Sequence, residues 1–98
     1  MSAIRFEWDS GKAATNLRKH GVAFEEARTV FEDDEALFIS DPEHSVAEDR
    51  FVLVGLSAAL RVVVVVHCER DTGDVIRIIS ARKADRGERA DYATRRLR

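Results

Sequence analysis

Arg77-Ile78-Ile79-Ser80-Ala81-Arg82-Lys83-Ala84 covers the end of a strand, Asp74 to Arg82 by its β-branched content, yet it carries an arginine in the strand interior and delivers Ser80, Arg82 and Lys83 at the end. A strand serving only as core needs none of these. Guanidinium groups present a planar fork of donors suited to phosphate oxygens, and a strand fixes their positions better than a loop. The segment therefore reads as a phosphate-handling site. The plainer alternative is that the cations cover apolar surface or pair with Asp and Glu.

Upstream of this strand, Arg61 to Glu69 is a valine-rich run, and Asp71-Thr72-Gly73 fits a three-residue hairpin loop with Gly at positive φ. Further back, Ala36 to Ser40 and Asp49 to Leu56 are strand-like. Asp41-Pro42-Glu43 and Ser57 to Leu60 supply turns. Ile4 to Trp8 alternates apolar and charged residues as a first strand. Asp9 caps a helix over about 10–20, with Ala13, Leu17 and His20 on one face and Gly21 ending it. Phe24, Ala27, Val30 and Phe31 form the stripe of a second helix, for which Ala23 is a poor cap. Asp85 with Glu88 resembles a capping box opening a last helix, whose apolar face of Ala90, Ala93 and Leu97 is thin. The expected class is α+β: an antiparallel sheet, two N-terminal helices on one face and a C-terminal helix, in the order β-α-α-β-β-β-β-α.

With a three-residue loop, Arg70 lies opposite Asp74 and His67 opposite Arg77. Val62, Val64, Val66, Ile76 and Ile78 then share the face on which the helices sit. The other face carries Val63, Val65, His67 and Glu69 beside Val75, Arg77 and Ile79. Arg82 falls by parity on the apolar face, at a strand end from which it can reach around the edge.

Ninety-eight residues make one domain, 1–98, that buries roughly 60–65% of its unfolded surface, enough for one core without metal or disulfide staples. The single Cys68 sits in a valine-rich segment as a small hydrophobe. No apolar run approaches a membrane-spanning length, and the N-terminus has no signal-like segment, so a cytoplasmic protein is expected. The net charge of −2 hides an asymmetry: residues 24–50 carry −8, residues 77–98 carry +5. The basic end can attract polyanions and the acidic middle repel them.

Phe6-Glu7-Trp8-Asp9, Lys12-Ala13, Asn16 to Val22 and Phe24-Glu25-Glu26-Ala27 resemble the opening of the BrnT family of bacterial toxins. Asp41-Pro42, His44-Ser45, Glu48, Arg50-Phe51 and Ile76 to Ala84 with Glu88 and Tyr92 are similar to its middle and close. The likeness spans nearly the whole chain. It implies a RelE-like fold and ribonuclease activity that arrests translation. It also implies a ribbon-helix-helix antitoxin whose complex with the toxin represses their operon, so that operator DNA is met only through the antitoxin.

RNA cleavage without a metal requires a deprotonated 2′-hydroxyl, charge stabilisation at the phosphorane and protonation of the leaving 5′-oxygen. Arg77 and Arg82 are the expected charge stabilisers. His67 is the expected proton carrier, with Glu69 able to orient or replace it. Tyr92 and Lys83 are alternatives, and Tyr92 serves equally as an anchor for the last helix. Ser80, Lys83, Arg86 and Arg89 are expected to bind RNA. Lys19 and His20 end a helix, where cations cap carbonyls. The three histidines lack metal-ligand spacing, so neither metal nor cofactor is expected. The competing function is a non-catalytic module that acts as corepressor of a DNA-binding partner.

Overall fold

Alternating and β-branched segments form five strands: β1 (Arg5–Glu7), β2 (Leu37–Ser40), β3 (Arg50–Leu56), β4 (Val62–Arg70) and β5 (Val75–Lys83). They make one sheet in the order β1-β5-β4-β3-β2. The computed structural model describes residues 4–40, 50–70 and 73–96. The expected turn at Asp41-Pro42-Glu43 thus lies outside the described residues, as do Asp71, Thr72 and Leu97. Strands β2 to β5 run antiparallel, but β1 pairs with β5 in parallel, Phe6 opposite Ile76. The sheet is therefore mixed rather than wholly antiparallel. Only a hairpin forces antiparallel pairing, and β1 meets β5 after the whole intervening chain.

Helix α1 (Ser10–His20) starts where Asp9 accepts the Lys12 N–H at 2.8 Å and stops at Gly21, φ 68°. Helix α2 (Phe24–Thr29) has no side-chain cap from Ala23 and tightens into a 3₁₀ turn over Val30–Glu32. Helix α3 (Arg86–Arg96) opens with a reciprocal box, Asp85 N–H to Glu88 at 2.9 Å and Glu88 N–H to Asp85 at 2.8 Å.

The main core packs Val22, Phe24, Ala27 and Val30 against Leu53, Val63, Val65, Ile76, Ile78 and Ala81. On the opposite face Tyr92 and Ala84 meet Val54 and Val64. The helices thus sit on Val63 and Val65, not on Val62, Val64 and Val66 as the three-residue loop required. Arg70 pairs with Val75, leaving residues 71–74 between the strands. That shift puts His67 opposite Ile78 and Arg77 opposite Cys68. A second irregularity follows: Val66 pairs with Ser80, so Ile79 is an extra residue in β5. Its consequence is a change of parity, after which Arg82 lies opposite Val64. Cross-strand partners share a face, so Arg77, Ser80 and Arg82 all project on the side of α3.

Asn16, not Leu17 or His20, is the buried residue of α1; Leu17 is half exposed. Its amide donates to Ala81 C=O at 2.8 Å and to Val22 C=O at 3.0 Å and accepts the Ala81 N–H at 3.1 Å. These are the bonds a sixth strand would have made beyond the end of β1. Asp33 does the same for β3 beyond β2: its carboxylate accepts the Leu56 N–H at 2.8 Å and the Tyr92 hydroxyl. Gly55 permits this close approach, since a Cβ there would stand 3.0 Å from Asp33 Oδ2 and 2.9 Å from Ala36 Cβ. Helix α3 therefore docks through Tyr92, whereas Ala90 and Ala93 are exposed.

Replacing Asn16 by Leu should lower the unfolding free energy by about 2–4 kcal/mol, because buried backbone groups of Ala81 and Val22 lose their partners. Urea denaturation measures this; an unchanged midpoint would remove Asn16 from its role at the sheet edge.

Candidate active site

The face created by the Ile79 bulge carries two arginines in fixed poses. Arg77 Nη1 donates to Glu7 Oε2 at 3.0 Å, and Arg70 Nη1 donates to the same oxygen at 2.8 Å. Arg82 grips Glu88 with two bonds of 2.8 Å. Glu88 is itself held by the capping box, so the start of α3 sets the pose of Arg82. The Arg77 bond foremost, with Arg70 adding to it, holds the Glu7 carboxyl below the usual range. Arg82 likewise holds down Glu88, and Glu88 raises Arg82 further. Both guanidiniums remain open to solvent, Arg82 at 44% and Arg77 at 35% side-chain exposure, so each keeps donors for an incoming anion. Glu7 bonds through Oε2 alone among the described residues.

The other expected site residues divide between the faces. Ser80 is half-buried on the arginine face. Arg86 is exposed on the first turn of α3, and Arg89 donates to Ala84 C=O at 2.8 Å from the next turn. Lys83 lies opposite Val63, on the α1–α2 side, where its charge reaches Glu26. Tyr92 is 4% exposed, its hydroxyl given to Asp33, which is the anchoring position rather than a place in the open site.

His67 is separated from the arginines by the sheet itself. It is fully buried on the α1–α2 side, with ring centroids 4.8 Å from Phe31, 5.8 Å from Phe51 and 6.0 Å from Phe38. The expected placement beside Arg77 is thus corrected by the four-residue loop. Glu69 Oε2 stands 3.8 Å from Nε2, too far for a hydrogen bond, and neither ring nitrogen has a hydrogen-bond partner among the described residues. Burial pushes the His67 pKa down to about 4. No three His, Cys, Asp or Glu side chains gather as a metal-binding set among the described residues.

Sequence reasoning missed Glu7 and Arg70 as members of this face. The alternation of β1 sets Glu7 apart from Phe6, but its parallel pairing with Arg77 appears only in the sheet.

The chain thus has an α+β fold with helices on both faces of the sheet and arginines beside a capping-box glutamate. The family model described as the ribonuclease toxin BrnT of type II toxin-antitoxin systems matches residues 8–88, and the chain belongs to this family. The crystal structure of the Brucella abortus ribonuclease toxin BrnT aligns with a TM-score of 0.62 and 23% identity over 88% of this chain and 100% of that one. That likeness establishes the shared fold. No curated protein matches the sequence.

His67 supplies a stability test. Its folded pKa of about 4 lies below the ordinary 6.5, so the unfolded chain binds the proton first. The stabilisation is complete above about 6.5 and is lost as the pH falls toward about 4, up to about 3 kcal/mol. Thermal unfolding across this range should show the loss in the native chain, and His67→Phe should flatten it. An equal pH slope in the variant would contradict the assignment.

Proposed function

We propose that the chain is a metal-independent endoribonuclease that cleaves RNA, arrests translation and uses the arginine face as its site. The observation that carries this is the bulge at Ile79, which turns Arg82 onto the face of Arg77 and Ser80. Two guanidiniums on one face match the phosphorane, whose charge is spread over non-bridging oxygens. The reading needs no metal, since charge stabilisation comes from side chains.

With His67 on the far face, Glu7 is the carboxylate placed to accept the 2′-hydroxyl proton. Glu88 is saturated by Arg82 and the Asp85 N–H, whereas Glu7 leaves Oε1 open. The Arg77 guanidinium holds the Glu7 carboxyl below its ordinary range. The leaving 5′-oxygen then takes its proton from solvent, because Tyr92 is buried and Lys83 lies on the other side.

The type II system implies an antitoxin partner and an RNA target. We take that antitoxin to be a ribbon-helix-helix protein that meets residues 77–98 with acidic residues and carries the toxin to operator DNA. None of the described helices is long and apolar enough to cross a membrane, and the site of action is taken as the cytoplasm. A corepressor without catalysis is favoured by one feature, the carboxylate partner on each of Arg77 and Arg82. Cleavage by purified protein separates the two.

Cleavage of structured RNA should persist in EDTA, and Arg77→Ala and Arg82→Ala should each lower the rate by about 10²-fold or more. Loss on chelation with recovery on adding a divalent ion would overturn the metal-free mechanism, and native rates in both folded variants would overturn the site.

Glu7→Gln should lower kcat with little change in KM. In the native chain the rate should hold through the ordinary carboxylate range and decline only below it, since Arg77 lowers the Glu7 pKa. A histidine-like limb near neutrality, surviving in Glu7→Gln, would reassign the base.

Arg86→Glu or Arg89→Glu should slow antitoxin association and flatten its salt dependence in stopped-flow measurements. Kinetics unchanged across salt concentrations would place inhibition elsewhere.

A further inference from the structure

Between α1 and the outer edge of β5, beyond the end of β1, lies a cavity of about 520 Å³. Its walls include Lys12, Thr15, Lys19 and His20 from α1, and Ile79 and Ser80 from the bulge of β5. Ser80 belongs at once to this cavity and, by its pairing with Val66, to the arginine face. The two surfaces therefore join around the sheet edge at the extra residue.

The charges of the two surfaces are handled differently. Arg77 and Arg82 each have a carboxylate partner. Lys12 and Lys19 have no ion pair among the described residues. The one acid in the wall, Asp9, accepts the Lys12 N–H as the helix cap and keeps its charge, so with Lys12 and Lys19 the wall remains positive in balance. At a helical rise of about 1.5 Å per residue, the two lysines stand roughly 10 Å apart along α1. They bracket the cavity and do not converge on one point. Thr15 lies between them, and Ile79 supplies an apolar wall.

We propose that this cavity is a second RNA subsite, seating a nucleotide beyond the two that the scissile phosphate joins, with Lys12 and Lys19 neutralising the phosphates on either side of it. The inference rests on the arginine face being the cleavage site. A single-stranded polyanion leaving Arg82 past Ser80 enters the cavity directly. An apolar wall set among cations and hydroxyls suits a base with its sugar-phosphate, and sequence-tolerant binding of this kind is common in single-strand grooves.

The test is binding of a 2′-O-methyl oligoribonucleotide, which cannot be cleaved, by the full chain and by Lys12→Ala/Lys19→Ala, read by fluorescence anisotropy over a salt series. Each phosphate neutralised on a single strand contributes about 0.7 to the slope of log K against log salt. The double variant should bind more weakly and its slope should fall by about 1.4. The same slope and affinity in both proteins would overturn the subsite. This readout does not depend on catalysis: absence of RNA cleavage by the native chain would sink the proposed activity while the slope still decides the subsite. In the cleavage assay the double variant should raise KM for long RNA and leave a dinucleotide substrate unaffected. An equal effect on the dinucleotide would place the lysines at the scissile bond instead.

Discussion

Side chains standing in for missing strands hold this fold together. The outer strands β1 and β2 are only three and four residues long, so the inner strands they cover run on past them. Exposed edges of that kind leave backbone groups unpaired and invite pairing with other chains. Asn16 answers this at β5 because a carboxamide carries a donor and an acceptor, as a peptide does, and so pairs with both polar groups of Ala81. Asp33 answers it at β3 with an acceptor for the Leu56 N–H, and its second bond draws in Tyr92. The same two residues orient the candidate surfaces, Asn16 by fixing α1 against the β5 edge and Asp33 by tethering α3, whose first turn holds Arg82.

The ion pairs on the arginine face do different work. Pairs this exposed contribute little to folding, since solvent screens them and ordering long side chains costs entropy. Their value is positional. Glu88 is fixed by the backbone of Asp85 and in turn fixes the plane of Arg82, and Glu7 on β1 sets Arg77. The guanidiniums stand at defined places before any anion arrives, with reorganisation reduced to an exchange of partners.

The secondary structure was largely legible in the sequence because its signals are local. Asp9 and Gly21 bound α1, Asp85 and Glu88 open α3, and valine and isoleucine runs mark the long strands. What escaped depends on counting between elements. A hairpin loop longer by one residue reversed the face assigned to Val63 and Val65, and moved His67 into an aromatic cluster. The bulge then reversed parity again, and its trace in the sequence is one more isoleucine among several. Asn16 was invisible for a related reason: a polar residue within a helical stripe reads as solvent-facing until a strand edge is found beside it. Arg77 and Arg82 stood out as candidates nonetheless, since arginines in an apolar strand are conspicuous wherever they point.

The extra residue in β5 also has a hereditary meaning. Loss of a single codon at position 79 would restore the simple ladder and keep Ser80 opposite Val66 and Arg82 opposite Val64, so both arginines would stay on one face. A lineage that straightened the ladder without losing a residue would part the arginines instead, since five positions separate them and alternate side chains face opposite ways. The bulge is thus the compensation that lets an odd spacing occupy one face of β5.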